Sequence, residues 1–307
     1  MTKAIAFSEF GPAEVLHSLD VELPAPGPGQ VRIAVRAAGV NPLDHKIRAG
    51  VLNAVFPVTL PHVPGVEGAG TVEALGEGVT SLRVGDEVFG FTSTGSYAEQ
   101  ALAVADRLIV KPAAVPWEQA AALPVAAETA YRALELLGVK AGETLLVHGA
   151  AGGVGTLTVQ FAVARGLTVI GTASEGNHAY LRELGAVPIS YGEGLAERVR
   201  AAAPQGVDAV LDAAGAGVLE LSVELTGSAD RVITVADGAG AHQHGVRFTG
   251  GGDGQDFTRQ ALPAALELLA AGTLRLPIHR AYPLDEAAEA QRASAHGHLT
   301  GKLVITI

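Results

Sequence analysis

The run Thr144-Leu145-Leu146-Val147-His148-Gly149-Ala150-Ala151-Gly152-Gly153-Val154-Gly155 decides the fold. Four β-prone residues end in a glycine-dense turn. Residues 157–164 behind it are apolar, with no helix breaker until Gly166, so the segment reads strand, tight loop, helix. Such a turn is a phosphate cradle. Gly152 and Gly155 carry no Cβ where a pyrophosphate has to approach the backbone and where the helix has to press on its strand. The unpaired N–H groups of the helix's first turn face the anion, with the positive end of the helix dipole behind them. Gly149, Ala150, Gly152, Gly153 and Val154 are therefore candidate contacts. The next β-rich run, 167–172, follows directly, as a strand-helix-strand nucleotide unit requires. Residues 144–164 carry no formal charge, yet the glycines with Thr156, Thr158 and Gln160 argue against a membrane span.

A chain of 307 residues has room for two domains or one large one, each with a sizeable core. Its 48% hydrophobic and 17% charged content fits an ordinary soluble, enzyme-like protein. The formal net charge of −11 offers no basic stripe against phosphate repulsion, so neither nucleic acid nor an anionic membrane is an expected partner. The absence of cysteine removes disulfides, cysteine nucleophiles and thiolate zinc sites. Met1-Thr2-Lys3-Ala4-Ile5-Ala6-Phe7 lacks the basic-then-apolar pattern of a signal peptide, so a cytoplasmic location is expected.

Along the chain, 3–7 and 31–37 alternate like strands, and the Pro/Gly-rich 24–29 between them reads as an ordered surface turn. Further short strands at 70–75, 86–91, 96–104 and 107–110 suggest a small β-barrel over roughly the first 115 residues. From Trp117 the character changes. The alanine-rich 120–134 reads as a helix leading into the nucleotide strand, and strand and helix patterns then alternate to about residue 249. That alternation implies a parallel sheet covered on both faces, hence an α/β protein. A helix over 258–271, a short amphipathic helix over 285–294 and a final strand over 302–307 complete the chain.

Several ordered motifs carry a family likeness across almost the whole chain: Gly39-Val40-Asn41-Pro42-Leu43-Asp44, Pro64-Gly65-Val66-Glu67-Gly68-Ala69-Gly70, Val84-Gly85-Asp86-Glu87-Val88, Gly95-Ser96-Tyr97-Ala98-Glu99, Ala122-Leu123-Pro124, Thr129-Ala130-Tyr131, the glycine turn and Gly301-Lys302-Leu303-Val304. Together they resemble the medium-chain dehydrogenase/reductase superfamily, and most of all its zinc-independent quinone oxidoreductase and enone reductase branch. The resemblance implies a GroES-like β-barrel catalytic domain from 1–118 and 254–307, with a Rossmann NADP-binding domain at 119–253 inserted into it. It also implies that the cleft between the two holds nicotinamide and substrate, and that two copies pair through the last Rossmann strand, 246–249, as a homodimer.

Where zinc-dependent relatives have Gly-His-Glu this chain has Gly65-Val66-Glu67, and Asn41 stands where a ligand cysteine would fall. Valine cannot coordinate and asparagine is a poor zinc ligand, so no metal is expected. Without a Lewis acid an alkoxide lacks stabilisation, whereas hydride addition to an enone or quinone leaves a delocalised anion. The segment 41–46 resembles the Asn-Pro-x-Asp-x-Lys form of enone-reducing relatives. In that reading Lys46 donates to the substrate carbonyl, Asn41 orients the carbonyl or the nicotinamide, and Asp44 holds Lys46. The bland alternative makes 45–46 solvated loop residues, Asp44 a helix cap and Asn41-Pro42 a turn.

The second strand of the nucleotide unit ends in Gly171-Thr172-Ala173-Ser174 without the acid that would grip a ribose diol, so NADPH is expected over NADH. Ser174 and Asn177 are the 2′-phosphate candidates, and Tyr191 matches a family tyrosine that contacts the same group. Glu175 keeps NADH open, and His178 or Arg182 could replace a missing lysine. Thr129 matches the threonine that contacts nicotinamide in relatives. Ala213, Phe248 and Gly250 fall at carboxyl ends of strands, where dinucleotides lie. The barrel loop 49–61 and the stretch 237–254 are expected to shape the substrate pocket. The pairs His242/His244 and His296/His298 have metal-compatible spacing but read as solvated loop histidines. The expected substrates are small electrophilic carbonyl compounds or quinones. An enoyl-thioester reductase and a non-catalytic NADPH-binding protein stand as alternatives.

Overall fold

The period-two patterning at 3–7 and 31–37 becomes strands β1 (Thr2–Ala6) and β3 (Gln30–Val40), with β2 (His17–Val21) between them. Helix α1 (Pro42–Arg48) follows, then β4 (Glu67–Leu75), β5 (Glu87–Phe91), β6 (Gln100–Val104) and β7 (Leu108–Val110). In β3 Val31, Ile33 and Val35 are buried while Arg36 is exposed, the in-out alternation of a half-covered strand. Strand β3 organises this part. It pairs with β4 over most of its length and with β6 through Gln30–Ala34 in register. Helix α2 (Trp117–Leu137) comes next and carries Pro124 inside it.

The alternation beyond it gives β8 (Thr144–His148), α3 (Gly153–Ala164), β9 (Thr168–Ala173), α4 (His178–Glu183), β10 (Val187–Ser190) and α5 (Leu195–Ala202). It continues with β11 (Ala209–Asp212), α6 (Leu219–Thr226), β12 (Val232–Thr234), α7 (Gly238–His244), β13 (Arg247–Phe248) and α8 (Thr258–Ala270). These strands form a six-stranded parallel sheet in the order β10-β9-β8-β11-β12-β13. The order reverses between β8 and β11, and a crevice opens at such a switch point beyond the carboxyl ends of the strands. The chain returns through β14 (Ile278–Pro283), α9 (Ala287–His296) and β15 (Lys302–Thr306). Strand β15 pairs antiparallel with the far half of β3, completing a seven-stranded sheet.

The computed structural model of the chain describes residues 1–250 and 255–307, so the 253/254 boundary and the end of the expected pocket stretch 237–254 lie outside the described residues. The chain divides into two compact units, 1–125 with 276–307 and 126–275. Helix α8 thus falls in the second unit, where the Phe257 ring meets Tyr131 and the Gln160 amide bonds the Arg275 backbone at both ends. Among the described residues no helix is long and apolar enough to cross a membrane.

Candidate functional site

In the second unit the glycine turn follows β8. Gly149 sits at φ +71°, a left-handed conformation, with the Ala213 backbone close behind it. At Gly155 a Cβ would overlap the Gly149 carbonyl, so close packing of the helix on its own turn requires glycine there. The first helical bond of α3 runs from Thr156 N–H to Gly152 O at 2.8 Å. The amides of Gly153, Val154 and Gly155 precede it and are available to an anion. Gly152 has an ordinary φ of −72°, and a Cβ there would meet only the Gly149 carbonyl, at 3.5 Å. These residues fit a dinucleotide pyrophosphate.

A buried chain of hydrogen bonds fixes the turn from below. Gly149 N–H donates to Thr172 Oγ1 at 3.3 Å, and that hydroxyl lies 3.4 Å from His148 Nδ1. His148 Nε2 lies 3.3 Å from Ser222 Oγ, whose own proton goes to Val218 O at 2.7 Å. Ser222 therefore accepts from Nε2–H, and Nδ1 is left to accept from Thr172. Burial, outweighing the nearby Asp212 charge, pulls His148 down to about 4, so the neutral imidazole this chain needs is the form present. Thr172 is thus spent on the turn, and the strand end offers Ser174 instead. Asp212 shapes the neighbouring loop by accepting the Ala214 and Gly215 amides at 2.9 and 3.0 Å, with Ala213 between strand and turn.

On the other side of β8, Ala173 pairs with Ser190, so Ser174 and Tyr191 emerge side by side from β9 and β10. Both are exposed, and Asn177 Nδ2 donates to Ser174 Oγ at 3.2 Å. The basic group at this edge is one the sequence reading missed. Arg198, from α5, donates Nε to Ser190 O at 2.8 Å and Nη2 to Tyr191 O and Gly192 O at 3.3 Å each. Its partners are neutral carbonyls, so its charge stays uncompensated by them. Phe248 and Gly250 are exposed at the far edge, and Thr129 lies half-buried on α2.

In the first unit Asn41 caps α1 directly after β3, and Asp44 and Lys46 lie on α1 itself. Strand register assembles the rest. Leu303 pairs with Val40 and Gly68 with Ala38, which brings Lys302 and Glu67 to the end of β3 beside Asn41. Lys302 Nζ donates to Asn41 Oδ1 at 2.5 Å and to Glu67 Oε1 at 2.8 Å, while Asn41 Nδ2 donates to Glu67 Oε1 at 2.8 Å. Val125 N–H donates to Glu67 Oε2 at 2.6 Å. All three side chains are buried, and Gly39 leaves room for the carboxylate, which a Cβ there would overlap. An ammonium can only donate, so it fixes which end of the Asn41 amide is oxygen. Neither Glu67 nor Lys302 was singled out from sequence. Both lie in the quoted motifs, but only the register brings them together.

Asp44 does not hold Lys46. Its Oδ2 accepts Asn41 N–H at 2.8 Å and Tyr97 O–H at 3.0 Å, and neither bond reaches the lysine. Residues two apart on a helix face different ways. Lys46 is half-buried, and neighbouring His45 is brought down to about 4 by burial first and then by Lys46 and Arg48. Burial pushes the Asp44 carboxyl up to about 7, against the lowering effect of its two donors and of Lys302. A carboxyl raised on folding contributes stability that is complete below pH ~4 and lost as pH rises through about 7. His148, lowered on folding, works in the opposite sense, losing stability as pH falls from its ordinary range through about 4. Asp44→Asn should therefore leave the histidine contribution unopposed, so that stability climbs more steeply with pH from 4 to 7, by up to ~1.4 kcal/mol per unit. Urea titrations across that range giving parallel curves for variant and parent would contradict this.

Zinc does not suit this donor set. Asn41 Oδ1 and Glu67 Oε1 already receive an ammonium, and Val66 has no donor atom. His242 and His244 lie on α7 rather than in a loop, His296 ends α9, and no cluster of three or more potential ligands occurs among the described residues.

Residues 27–113 match the alcohol dehydrogenase GroES-like domain and 184–305 match the zinc-binding dehydrogenase domain. The quinone oxidoreductase of Sus scrofa is 35% identical over 100% of this chain and 98% of its own. The solved quinone oxidoreductase of Coxiella burnetii is 34% identical with a TM-score of 0.86, covering 100% of this chain and 99% of its own. That of Escherichia coli, solved in complex with NADPH, is 26% identical with a TM-score of 0.86 over 99% and 100%. The chain is thus a member of the medium-chain dehydrogenase/reductase superfamily, an oxidoreductase family, and belongs to its quinone oxidoreductase branch.

Proposed function

We propose that the protein is an NADPH-dependent, zinc-independent reductase that passes hydride to a quinone or to the activated C=C of an enone. The observation that carries this reading is the Lys302 ammonium seated on Glu67 and on Asn41, the position where zinc-dependent relatives place a ligand cysteine. A site with an internal cation and no open metal position suits substrates whose product anion is delocalised. The reduced nicotinamide supplies the hydride when bound. The chain's residues manage the rest. Glu67 accepts a hydrogen bond from one N–H of Asn41 Nδ2, so the other N–H is the donor that orients the substrate oxygen. Lys46 adds a positive charge beside the oxygen anion that hydride addition leaves, and a proton completes the reduction.

Choice of the 2′-phosphorylated cofactor is supported by Ser174, Asn177 and Tyr191 at one edge and by the Arg198 charge beside them. NADPH bound elsewhere to relatives is consistent with it. The assembly we propose is a homodimer through the β13 edge, which among the described residues has β12 on one side only.

Steady-state NADPH oxidation against a panel of quinones, enones and enoyl thioesters tests the proposal. Turnover of quinones or enones, with Lys46→Ala about tenfold slower on the accepted substrates, is the expected result. Turnover confined to enoyl thioesters would make the protein a thioester reductase, and NADPH binding without any turnover would make it a binding protein.

A further inference from the structure

Arg132 is among the largest fully buried side chains, 2% exposed, in a unit whose other arginines lie nearer the surface. Its guanidinium is spread over four acceptors. Nε and Nη2 reach the two oxygens of Glu128 at 2.9 and 3.2 Å, a forked ion pair within one turn of α2. Nη1 donates to Thr249 Oγ1, and Nη2 donates to Thr129 Oγ1 at 3.5 Å, the longest of the set.

The two hydroxyls give this bridge a direction. Thr249 follows β13 and bonds the Thr234 carbonyl, so it marks the carboxyl end of the sheet on the β11–β13 side. The pyrophosphate turn follows β8, and β9 and β10 take the adenosine half, so the β11–β13 side is where the nicotinamide half must lie. Thr129 is tied to that same edge through Arg132. Other helix hydroxyls here, at Thr158, Ser222 and Thr226, each donate to the carbonyl four residues back. Among the described residues Thr129 makes no such bond, and its oxygen accepts from Arg132, so its proton is unspent.

We infer that Arg132 is a positioning residue for the nicotinamide end of the cofactor, turning Thr129 into a donor of fixed direction and tying α2 to the segment after β13. This rests on the cofactor reading proposed above. Glu128 keeps the buried charge neutralised, so the arginine is held in place without competing for the ligand.

The test compares the whole cofactor with its adenosine half. Calorimetric titrations of the full chain with NADPH and with 2′,5′-ADP are run on Arg132→Lys, which keeps the charge but loses the fork, and on the double variant Glu128→Gln/Arg132→Met, which leaves no lone buried ion. Thr249→Val removes only the far hydroxyl and carries the same expectation should either charge variant fail to fold. The expected result is an NADPH affinity about tenfold weaker with 2′,5′-ADP binding within twofold of the parent. Equal weakening of both ligands would reduce Arg132 to a structural role and overturn the inference, as would no change in either. A parent chain that binds 2′,5′-ADP but gains nothing from the nicotinamide half would also overturn it. Failure of the parent to bind either ligand would remove the cofactor reading itself.

Discussion

Gly155→Ala should cost about 3 kcal/mol of stability and weaken NADPH binding about 100-fold, whereas Gly152→Ala, three residues away, should weaken binding and leave stability alone. The contrast follows from what a methyl group meets. At Gly155 it overlaps the Gly149 carbonyl and lies 2.7 Å from Ala150 Cα. Both neighbours are backbone, so neither can swing aside, and the cost falls at the upper end of overpacking. A loss of that size lowers the melting temperature by roughly 6–12 °C for a unit of this length. The displaced turn also carries the amides offered to the pyrophosphate. Gly152 caps α3 at φ −72° and ψ 173°, a conformation alanine adopts freely, and its methyl would meet only the Gly149 carbonyl, at an ordinary contact distance. Calorimetric melts and NADPH titrations read the two effects separately. A Gly152→Ala protein that bound NADPH as tightly as the parent would show that no pyrophosphate approaches this turn.

Lys302→Met should cost about 3–5 kcal/mol. The substitution leaves Glu67, fully buried, with the Asn41 amide and the Val125 N–H but no counter-ion. A buried charge stripped of its partner is far costlier than the intact pair is stabilising. Glu67→Gln/Lys302→Met should therefore recover much of the loss, because no ion remains to be paired. Without the ammonium on its Oδ1, Asn41 can also turn its amide over, so the double variant should stay slow in hydride transfer even where it is stable. Urea denaturation with single-turnover kinetics separates these outcomes. A single variant within 1 kcal/mol of the parent would mean that the ammonium does not neutralise Glu67.

How much of this was legible in the sequence depended on distance along the chain. The β8-turn-α3-β9 unit declares itself because its signals, apolar periodicity and glycine punctuation, are local, and the alternation after it implied the parallel sheet. Strands β2 and β14 escaped notice because His17–Val21 and Ile278–Pro283 are largely exposed and lack a clean apolar alternation. Helix α7 was hidden by the two glycines in Gly238–His244, which read as loop. Asn41 and Asp44 stand out as a short motif, and their mutual bond spans three residues. The partner that orients Asn41 lies 261 residues away and arrives only through the antiparallel register of β15 on β3. Arg132 and Arg198 are hidden for a similar reason. Each looks like an ordinary helix arginine until the acceptors around its guanidinium are known.

A reduced dinucleotide lying across the turn after Val147 would touch the first amides of α3, where nuclear magnetic resonance can see it. Adding NADPH to isotopically labelled protein while following the amide signals of Gly153, Val154 and Gly155 by nuclear magnetic resonance should shift all three together, saturating at one equivalent. NADPH that left these three signals unmoved, whether by binding elsewhere or by not binding at all, would contradict the account.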